Sequence, residues 1–359
     1  MLKSRRSRLN TIFESHALDA ILFTGLLNIR YLTRFTGSEG ALLMARDGRA
    51  WFLCDSRYTS QAASQVCDAE IRQFADKTAG CADLIRECRF TAVGFESARM
   101  SVADFLALEG ALGRDILKPV GGEVDLIRSC KDQDECCRME QVAGLASQAL
   151  VEVLPLLRPG IREDDLAREL EFEIRRRGAE GKAFDFIVAS GERGALPHGR
   201  ASDKVIRDGE LVTIDFGAVL DGYHSDETVT VAVGEPGARA REIHQVVLEA
   251  HDRAIAAIRP GVGCREIDAV ARGYIADHGY GDYFGHGLGH GIGLDVHEKP
   301  VLSPRSDAVL QEGMVCTVEP GIYIPGFGGV RIEDTVIVTA NGHRVITQAP
   351  KAITISQTG

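Results

Sequence analysis

Four acidic residues in the second half of the chain occupy positions where a charge is hard to accommodate. Asp215 falls within the strand-like run Val-Thr-Ile-Asp-Phe, and Glu319 ends the run Cys-Thr-Val-Glu. A carboxylate inside an apolar strand is costly unless it is paired or bound to a metal. A strand-end aspartate bonded to the backbone would explain Asp215 alone. Because Asp226 and Glu333 lie in two further strand-like segments, the set predicts a site that binds cations.

The spacing of the chain around one tight turn indicates how two of these acids meet. Asp221-Gly222 is a typical two-residue hairpin turn. Opposed residue numbers then sum to 443, so that Asp215 faces Thr228. Asp226 lies two residues from Thr228, diagonal to Asp215 and on the same face, where Cβ atoms are about 7–8 Å apart or somewhat less. That separation suits two carboxylates that bind one ion between them.

Three of the ten histidines fall in the glycine-laced segment from Phe284 to Glu298, as His286, His290 and His297. Alternating glycines suit an extended backbone that another chain segment or a ligand approaches closely. The segment matches neither the dinucleotide-binding G-x-G-x-x-G nor the zinc motif H-E-x-x-H. A single histidine is more often a buried, hydrogen-bonded residue than a ligand. The grouping beside four acids favours a metal site.

Two other residues are candidates for supporting roles. His198 lies alone in Leu-Pro-His-Gly, and a turn histidine without a role is an equal alternative from its chemistry. Arg331 precedes Glu333 by two residues, so in a strand the two would share a face. A charge-assisted bond from Arg331 would orient a metal-binding carboxylate. A surface salt bridge is the competing interpretation.

The acids belong to two segments that resemble each other. An Arg-Pro-Gly triplet precedes a predicted amphipathic helix in each half, at residues 158–160 and 259–261, an offset of 101 residues (259 − 158). A strand pair follows each helix, and the acids match as Asp215 with Glu319 and Asp226 with Glu333. The repeat predicts a duplicated fold with pseudo-twofold symmetry and one acid on each of four strands. Chance similarity of short helix-and-strand pieces is the alternative.

Length and composition indicate the number of domains and limit the partners and the compartment of the protein. The 359 residues predict about two domains, and the net charge of −11 gives no favourable field for phosphates, so we expect no nucleic-acid partner. No apolar run approaches the ~18–20 residues that cross a bilayer, and no apolar core follows the basic first residues, so neither a membrane span nor a secretory signal is expected. Nine scattered cysteines fit a reducing, cytoplasmic compartment.

The first part of the chain carries no catalytic constellation. Alternating helix and strand patterns predict a small α/β domain over residues 1–122, including a hairpin at Asp47-Gly48. Polar residues after the next strand, Asp55 and Arg57, are interpreted as a solvated loop with an internal salt bridge. Gly121-Gly122 indicates the boundary, and the second domain is predicted over residues 123–359. The fold class is therefore α/β, of the α+β type.

The motif set resembles the "pita-bread" metallopeptidases, in particular the Xaa-Pro branch with prolidase and aminopeptidase P. The likeness covers the chain from about Arg128 onward, and the first part resembles that branch's creatinase-type domain. The fold implied is a small creatinase-type N-terminal domain followed by a pseudo-twofold pita-bread catalytic domain. The motifs that carry the likeness are TIDFG around Asp215, SDET around Asp226, the segment Gly285–Glu298, VEPGIY around Glu319 and RIEDT around Glu333.

The resemblance implies two divalent metal ions and a role for each candidate residue. The implied ligands are Asp215, Asp226, His290, Glu319 and Glu333, with Asp226 and Glu333 bridging both ions. Mn²⁺ is preferred, with Co²⁺ or Zn²⁺ as alternatives. A hydroxide bridging the ions is the implied nucleophile, and Glu319 the implied proton shuttle. His198 and His297 are the implied contacts to substrate and tetrahedral intermediate, and His286 a further pocket histidine.

The activity implied is hydrolysis of Xaa-Pro bonds in small proline-containing peptides. Many prolidases of this type have an arginine shortly after the His-Glu pair, and Val301 occupies that position here, although Lys299 or Arg305 could substitute. This departure slightly favours an Xaa-Pro aminopeptidase over an Xaa-Pro dipeptidase. Methionine aminopeptidase and a non-catalytic binding module are more distant alternatives. The resemblance also implies a homodimer.

Overall fold

The computed structural model describes residues 2–354 and divides into two compact units, Met1–Arg128 and Ser129–Gly359. The predicted domain boundary after residue 122 lies six residues before this division (128 − 122) and stays a prediction. Over residues 2–354, no helix is both long and apolar enough to cross a membrane.

The first unit is built on a six-stranded mixed sheet with the order β4-β3-β2-β1-β5-β6. Its strands are β1 (Ala20–Phe23), β2 (Ala41–Ala45), β3 (Ala50–Cys54), β4 (Glu70–Gln73), β5 (Val93–Glu96) and β6 (Leu117–Val120). Its helices are α1 (Leu2–Ser7), α2 (Asn10–Ser15), α3 (Leu26–Thr33), α4 (Thr59–Gln65), α5 (Lys77–Glu87), α6 (Val102–Leu112) and α7 (Glu123–Leu126).

Two local predictions for this unit are confirmed. Met44 pairs with Ala50 across an antiparallel β2–β3 hairpin, and Gly48 supplies the left-handed turn conformation at φ 91°. Arg57 forms an ion pair with Asp55 at 2.7 Å. The continuous burial of β1, β2 and β3 reflects apolar side chains on both faces of the sheet.

The second unit contains four longer helices and thirteen strands among the described residues. The helices are α8 (Gln133–Val153), α9 (Glu163–Arg176), α10 (Ala238–Ala257) and α11 (Cys264–Asp277). The strands of its first half are β7 (Gly181–Lys182), β8 (Ile187–Ser190), β9 (Leu211–Phe216), β10 (Ala218–Leu220), β11 (Tyr223–His224) and β12 (Glu227–Ala232). Those of its second half are β13 (Gly289–Gly291), β14 (Glu298–Leu302), β15 (Val315–Val318), β16 (Gly321–Ile324), β17 (Gly328–Arg331), β18 (Asp334–Thr339) and β19 (Gly342–Val345).

The predicted internal duplication is confirmed by these bounds. Helix α11 lies 101 residues after α9 at both ends (264 − 163 and 277 − 176), and β18 lies 107 residues after β12 at both ends (334 − 227 and 339 − 232). The strand orders β12-β9-β8 and β14-β13-β15-β18-β19 place each acid-bearing strand pair side by side. Apolar side chains of α10 and α11 pack with those of β15 and β18 in one buried core.

The strand register confirms the predicted hairpin geometry, but three acids lie just outside the strands. Asp215 is within β9 and faces Thr228 of β12. Asp226 immediately precedes β12, Glu319 follows β15, and Glu333 lies between β17 and β18. The prediction of one acid on each of four strands is therefore wrong in detail. These three carboxylates extend from the ends of strands, and Glu333 is paired with Thr228 by a single isolated bridge.

Candidate metal centre and active site

Acidic and imidazole side chains converge at the centre of the second unit. One ligand atom from each of Asp226, His290 and Glu333 lies within 4.8 Å of the others. His290 Nε2 is 3.6 Å from Asp226 Oδ2 and 3.4 Å from Glu319 Oε1. Asp226 and Glu333 are buried, whereas His290 and Glu319 keep a partly exposed side. The cluster is therefore partly accessible at His290 and Glu319.

Two threonines fix the main chain around Asp226 and Glu333 in an approximately symmetric way. Thr228 Oγ1 donates to Glu333 Oε2 at 2.6 Å, and the Glu333 amide donates to the Thr228 carbonyl at 3.0 Å. Thr335, the repeat equivalent of Thr228, donates to the Asp226 carbonyl at 2.8 Å. Each half of the duplication thus holds the acid of the other half.

The glycine-laced segment delivers His290 to the same point. A Cβ at Gly289 would collide with the carbonyl of Thr317, so only glycine permits this approach of β13 to β15. The His290 amide donates to Thr317 Oγ1 at 3.0 Å, and Thr317 Oγ1 donates to Glu319 Oε1 at 3.2 Å. His290 Nδ1 lies 3.0 Å from the Gly291 carbonyl, which leaves Nε2 facing the acids.

Arg331 anchors the cluster by binding one of its carboxylates. Its guanidinium donates to Asp215 Oδ2 at 2.6 Å, to the Pro197 carbonyl at 3.1 Å and to Tyr323 OH at 2.9 Å. Arg331 Nε also donates to Thr228 Oγ1 at 3.2 Å, and that hydroxyl binds Glu333 Oε2, so Arg331 and Glu333 contact the same threonine. The expected charge-assisted bond to a carboxylate of the site is present, and the carboxylate is Asp215.

The remaining histidines lie around this cluster. The His297 ring centroid is 4.4 Å from that of His290, and His286 Nε2 is 2.9 Å from Tyr323 OH. His198 is exposed and directly follows Pro197, whose carbonyl Arg331 binds. Burial lowers the pKa of both His286 and His297, and the neighbouring His198 lowers each further. His286 and His297 therefore adjoin the cluster, and His198 lies next to the residue that Arg331 binds.

Tyr323 is a site residue that the sequence analysis did not single out. Its hydroxyl accepts from Arg331 and pairs with His286, so it joins the arginine anchor to the histidine group. Burial raises the pKa of Tyr323 to about 12, although the Arg331 charge opposes that shift. The only available signal was its place four residues after Glu319 in VEPGIY.

Burial and neighbouring like charges make ionisation of the clustered carboxyl groups unfavourable. Burial raises the pKa of Asp226 well above its ordinary value, and the neighbouring Glu333 raises it further. Burial and the Glu319 charge do the same to the pKa of Glu333. Burial raises the pKa of Glu319 to about 6 and lowers that of His290. The side chains alone therefore favour a protonated carboxyl cluster and a neutral imidazole.

The donor set fits divalent cations. Among the described side chains, Asp215 Oδ1 and Glu333 Oε1 are buried carboxylate oxygens without a hydrogen-bond partner. Buried polar atoms without a partner are rare and call for an explanation such as a bound ion. Four carboxylates offset most of the charge of two dications, and ligation rich in oxygen with one imidazole suits Mn²⁺. Arg331 occupies Asp215 Oδ2 and leaves its other oxygen available.

These pKa shifts predict how the stability of the metal-free protein depends on pH. A group with a higher pKa in the folded state stabilises the fold below its unfolded pKa, and this contribution is lost as the pH rises through the folded pKa. For Glu319 that window runs from 4.5 to about 6, and for Asp226 and Glu333 it extends higher. We expect the melting-temperature gap between metal-loaded and metal-free protein to widen from about pH 5 to about pH 8.

Scanning calorimetry with and without a chelator, at matched ionic strength, measures this gap. Other carboxylates with lowered pKa values, such as Asp19 and Asp334, affect both forms equally and cancel in the difference. A gap that stays constant or narrows with rising pH would contradict the assignment of these carboxyls to a cation site.

Comparison with known families agrees with this geometry. Residues 137–340 match the model of metallopeptidase family M24, and residues 5–130 match the creatinase/prolidase N-terminal domain. The first match covers more than half of the chain. The chain belongs to metallopeptidase family M24. It is therefore a hydrolase, and both parts of the predicted two-domain fold class are confirmed.

Three similar M24 proteins match this chain over nearly its whole length. An Xaa-Pro dipeptidase of Pyrococcus furiosus is 35% identical over 98% of this chain and 100% of its own length. The structure of an Xaa-Pro dipeptidase from Bacillus anthracis has a TM-score of 0.96 at 44% identity, covering 99% of this chain and all of that one. An X-Pro aminopeptidase structure from Thermotoga maritima has a TM-score of 0.88 at 38% identity, covering 95% and 99%.

Proposed function

We propose that this M24 metallopeptidase is an Xaa-Pro dipeptidase, which hydrolyses the bond before a C-terminal proline in a dipeptide. The observation that carries the proposal is the converging set of four carboxylates and one imidazole, together with full-length similarity to two proteins named Xaa-Pro dipeptidase. The slight preference for an aminopeptidase, drawn from Val301, is not supported by these relatives. The Thermotoga likeness keeps Xaa-Pro aminopeptidase as the second candidate.

We assign the cluster to two divalent ions, with Mn²⁺ as the preferred metal. Their ligands are Asp215, Asp226, His290, Glu319 and Glu333. When bound, the ions supply an ionised water at neutral pH and polarise the carbonyl of the bond to be cleaved. The homodimer implied by the resemblance and the cytoplasmic location inferred from the cysteines stay predictions.

Glu319 is the residue best suited to move the proton. Its carboxylate lies at the partly exposed side of the cluster, with Oε1 3.4 Å from His290 Nε2, where it can reach both a bound water and the substrate. In this assignment Glu319 takes the proton from the attacking water and delivers it to the proline nitrogen as the peptide bond breaks. That nitrogen carries no hydrogen in the peptide and must be protonated to leave. The Thr317 hydroxyl holds Glu319 in place.

The histidine group is suited to binding the carbonyl oxygen as negative charge develops on it. Burial lowers the pKa values of His286 and His297, so both rings are neutral at neutral pH. The single N–H of His286 is donated from Nδ1 to the Gly287 carbonyl at 2.8 Å, and its Nε2 accepts from the Tyr323 hydroxyl at 2.9 Å. His286 therefore orients Tyr323, and His297 is assigned the N–H that binds the carbonyl oxygen. His198 lies on the loop that Arg331 ties to Asp215 through the Pro197 carbonyl. Arg331 therefore positions both a metal ligand and a substrate-binding loop.

Val301 contributes an apolar wall rather than a charge. It is the direct cross-strand partner of His290 between β13 and β14, so its side chain lies on the same face as the imidazole. Such pairs have Cβ atoms about 4.5–5.5 Å apart. An apolar side chain beside the metal cluster suits the ring of a proline substrate. In this assignment a cation elsewhere binds the dipeptide carboxylate.

The decisive assay compares two substrates that differ only at their C-terminus. We expect Mn²⁺-loaded protein to cleave Ala-Pro with a kcat/KM about tenfold or more above that for Ala-Pro-Ala, which corresponds to ~1.4 kcal/mol. Released alanine and proline are measured by amino-acid analysis, with Ala-Gly and Pro-Ala as uncleaved controls. Equal or faster cleavage of the tripeptide would make the protein an aminopeptidase. No cleavage of either peptide would overturn the Xaa-Pro assignment.

A further inference from the structure

A second charged cluster lies directly behind the candidate metal site. Glu227 follows Asp226, and Asp334 follows Glu333, so each begins the strand, β12 or β18, that continues from a proposed bridging ligand. Neighbouring side chains in an extended segment point to opposite faces. Glu227 and Asp334 thus share the side of these strands that faces away from the metal ligands.

Lys351 joins the two acids of this rear cluster. Its Nζ atom is 2.7 Å from Glu227 Oε1 and 3.0 Å from Asp334 Oδ1. The side chains are 15%, 1% and 11% exposed, in the order lysine, glutamate and aspartate. His251 Nε2 also lies 3.2 Å from Asp334 Oδ2. A buried ammonium with two carboxylate partners has little freedom to move without leaving a charge uncompensated.

The chain around Lys351 reinforces the same two acids. Ala349 donates its amide to Glu227 Oε1 at 2.8 Å, and Thr347 donates its hydroxyl to Asp334 Oδ1 at 2.6 Å. The final described segment also bonds to the far end of β12, where the Ala232 amide donates to the Ile353 carbonyl at 2.7 Å. Residues 347–353 therefore run as a strap behind the strands that lead from the metal site.

The position of Lys351 follows the internal symmetry of the fold. Glu227 and Asp334 are repeat equivalents, 107 residues apart (334 − 227), as are Asp226 and Glu333 (333 − 226). The lysine comes after both repeats and has no counterpart between them. One side chain thus bridges the first residues of two symmetry-related strands, each of which directly follows a proposed metal ligand.

We propose that Lys351 is a positioning residue for the metal centre. By binding Glu227 and Asp334 together, it holds Asp226 and Glu333 at the separation that lets both reach the same ion. Without the Lys351 ammonium, the buried carboxylates of Glu227 and Asp334 repel each other, and the first residues of β12 and β18 move apart. This inference rests on the proposed function only in taking Asp226 and Glu333 as metal ligands, and it applies whichever peptide is the substrate.

The test measures metal binding directly, in the full chain. We expect Lys351→Met to weaken Mn²⁺ binding to the metal-free protein about tenfold or more by titration calorimetry, in the range found for residues that support metal ligands. Lys351→Arg keeps the charge and is expected to recover most of the affinity. Lys182→Met is the matched control, because Lys182 also lies near two carboxylates, Asp185 at 3.0 Å and Glu171 at 3.6 Å, away from the site.

The outcomes separate this inference from the proposed function. Wild-type Mn²⁺ affinity in Lys351→Met, or an equal loss in Lys182→Met, would overturn the inference even if Ala-Pro is cleaved. Weakened binding in Lys351→Met alone supports it even if the wild type cleaves no Xaa-Pro bond. A wild type that binds no divalent ion would overturn both.

If Lys351→Met does not fold, Thr347→Val serves in its place. It removes the bond to Asp334 and the one that Thr347 accepts from the Thr335 amide, without changing any charge, and is expected to weaken Mn²⁺ binding severalfold. Unchanged Mn²⁺ affinity in Thr347→Val would then contradict the proposal that the strap positions the metal ligands.

Discussion

Replacing Asp226 with asparagine is expected to abolish catalysis while leaving the metal-free protein at least as stable as the wild type. Asp226 is buried, and burial together with the Glu333 charge raises its pKa. Asparagine is isosteric and stays neutral, so it removes the cost of ionising a buried group beside other carboxylates. The same change takes away a shared ligand, so we expect kcat/KM to fall about 10³-fold or more and Mn²⁺ stabilisation to shrink.

The two expected effects, a loss of catalysis and no loss of stability in the metal-free protein, distinguish a metal ligand from an acid that only supports the fold. A carboxylate that merely supported the fold would lower the melting temperature of the metal-free protein when neutralised. Calorimetry with and without Mn²⁺, beside Ala-Pro turnover, measures both effects. Asp221→Asn is the control, because Asp221 lies in the exposed hairpin turn at φ 48°, a conformation that asparagine also adopts. A destabilised metal-free Asp226→Asn protein that still gains stability from Mn²⁺ would contradict the assignment.

Local chain geometry explains why part of the site could be predicted. The two-residue turn at Asp221-Gly222 sets the register of the flanking segments, and the observed pairing of Asp215 with Thr228 follows from it. The duplication was equally readable, because the helices α9 and α11 begin after the same triplet at a constant offset. Such features depend on residues that are close in the chain or repeated within it.

The parts that could not be predicted depend on contacts between distant segments. Arg331 reaches Asp215, 116 residues earlier, and the Pro197 carbonyl, 134 residues earlier. The spacing of Arg331 and Glu333 predicted a charge-assisted bond to a metal-binding carboxylate but did not indicate which one. Lys351 is separated from Glu227 by 124 residues and carries no motif of its own. No local pattern in the sequence indicates which buried acidic residues Arg331 and Lys351 contact.

The convergence of the acids outside their strands has a related cause. Successive residues of a β-strand point to opposite faces of the sheet. Four acids within different strands would therefore each be held to the face that the pairing of its strand imposes. Asp226 and Glu333 instead lie one residue before β12 and β18. Threonine side chains rather than ladder bonds hold the Glu333 carboxylate and the Asp226 carbonyl. Irregular backbone of this kind is typical of functional sites and is not encoded in hydrophobic periodicity.

Replacing Arg331 with methionine is expected to have the largest effect on stability. Its guanidinium is buried and donates to Asp215 Oδ2 at 2.6 Å, to Tyr323 OH at 2.9 Å and to the Pro197 carbonyl at 3.1 Å. Removing one partner of a buried ion pair costs about 3–5 kcal/mol, because the other charge is left uncompensated. We expect a loss of that size in the unfolding free energy of the metal-free protein, measured by urea denaturation.

The metal-loaded form of Arg331→Met should recover part of this loss, since bound cations offset the Asp215 charge that the arginine leaves behind. Turnover of Ala-Pro should not recover with it, because the loop carrying His198 has lost its tie to the site. Arg331→Lys keeps the charge but cannot reach three acceptors from one planar group, so we expect it to restore stability more than activity. Equal recovery of stability and kcat in the lysine variant would mean that Arg331 acts only as a counter-charge and does not position the His198 loop.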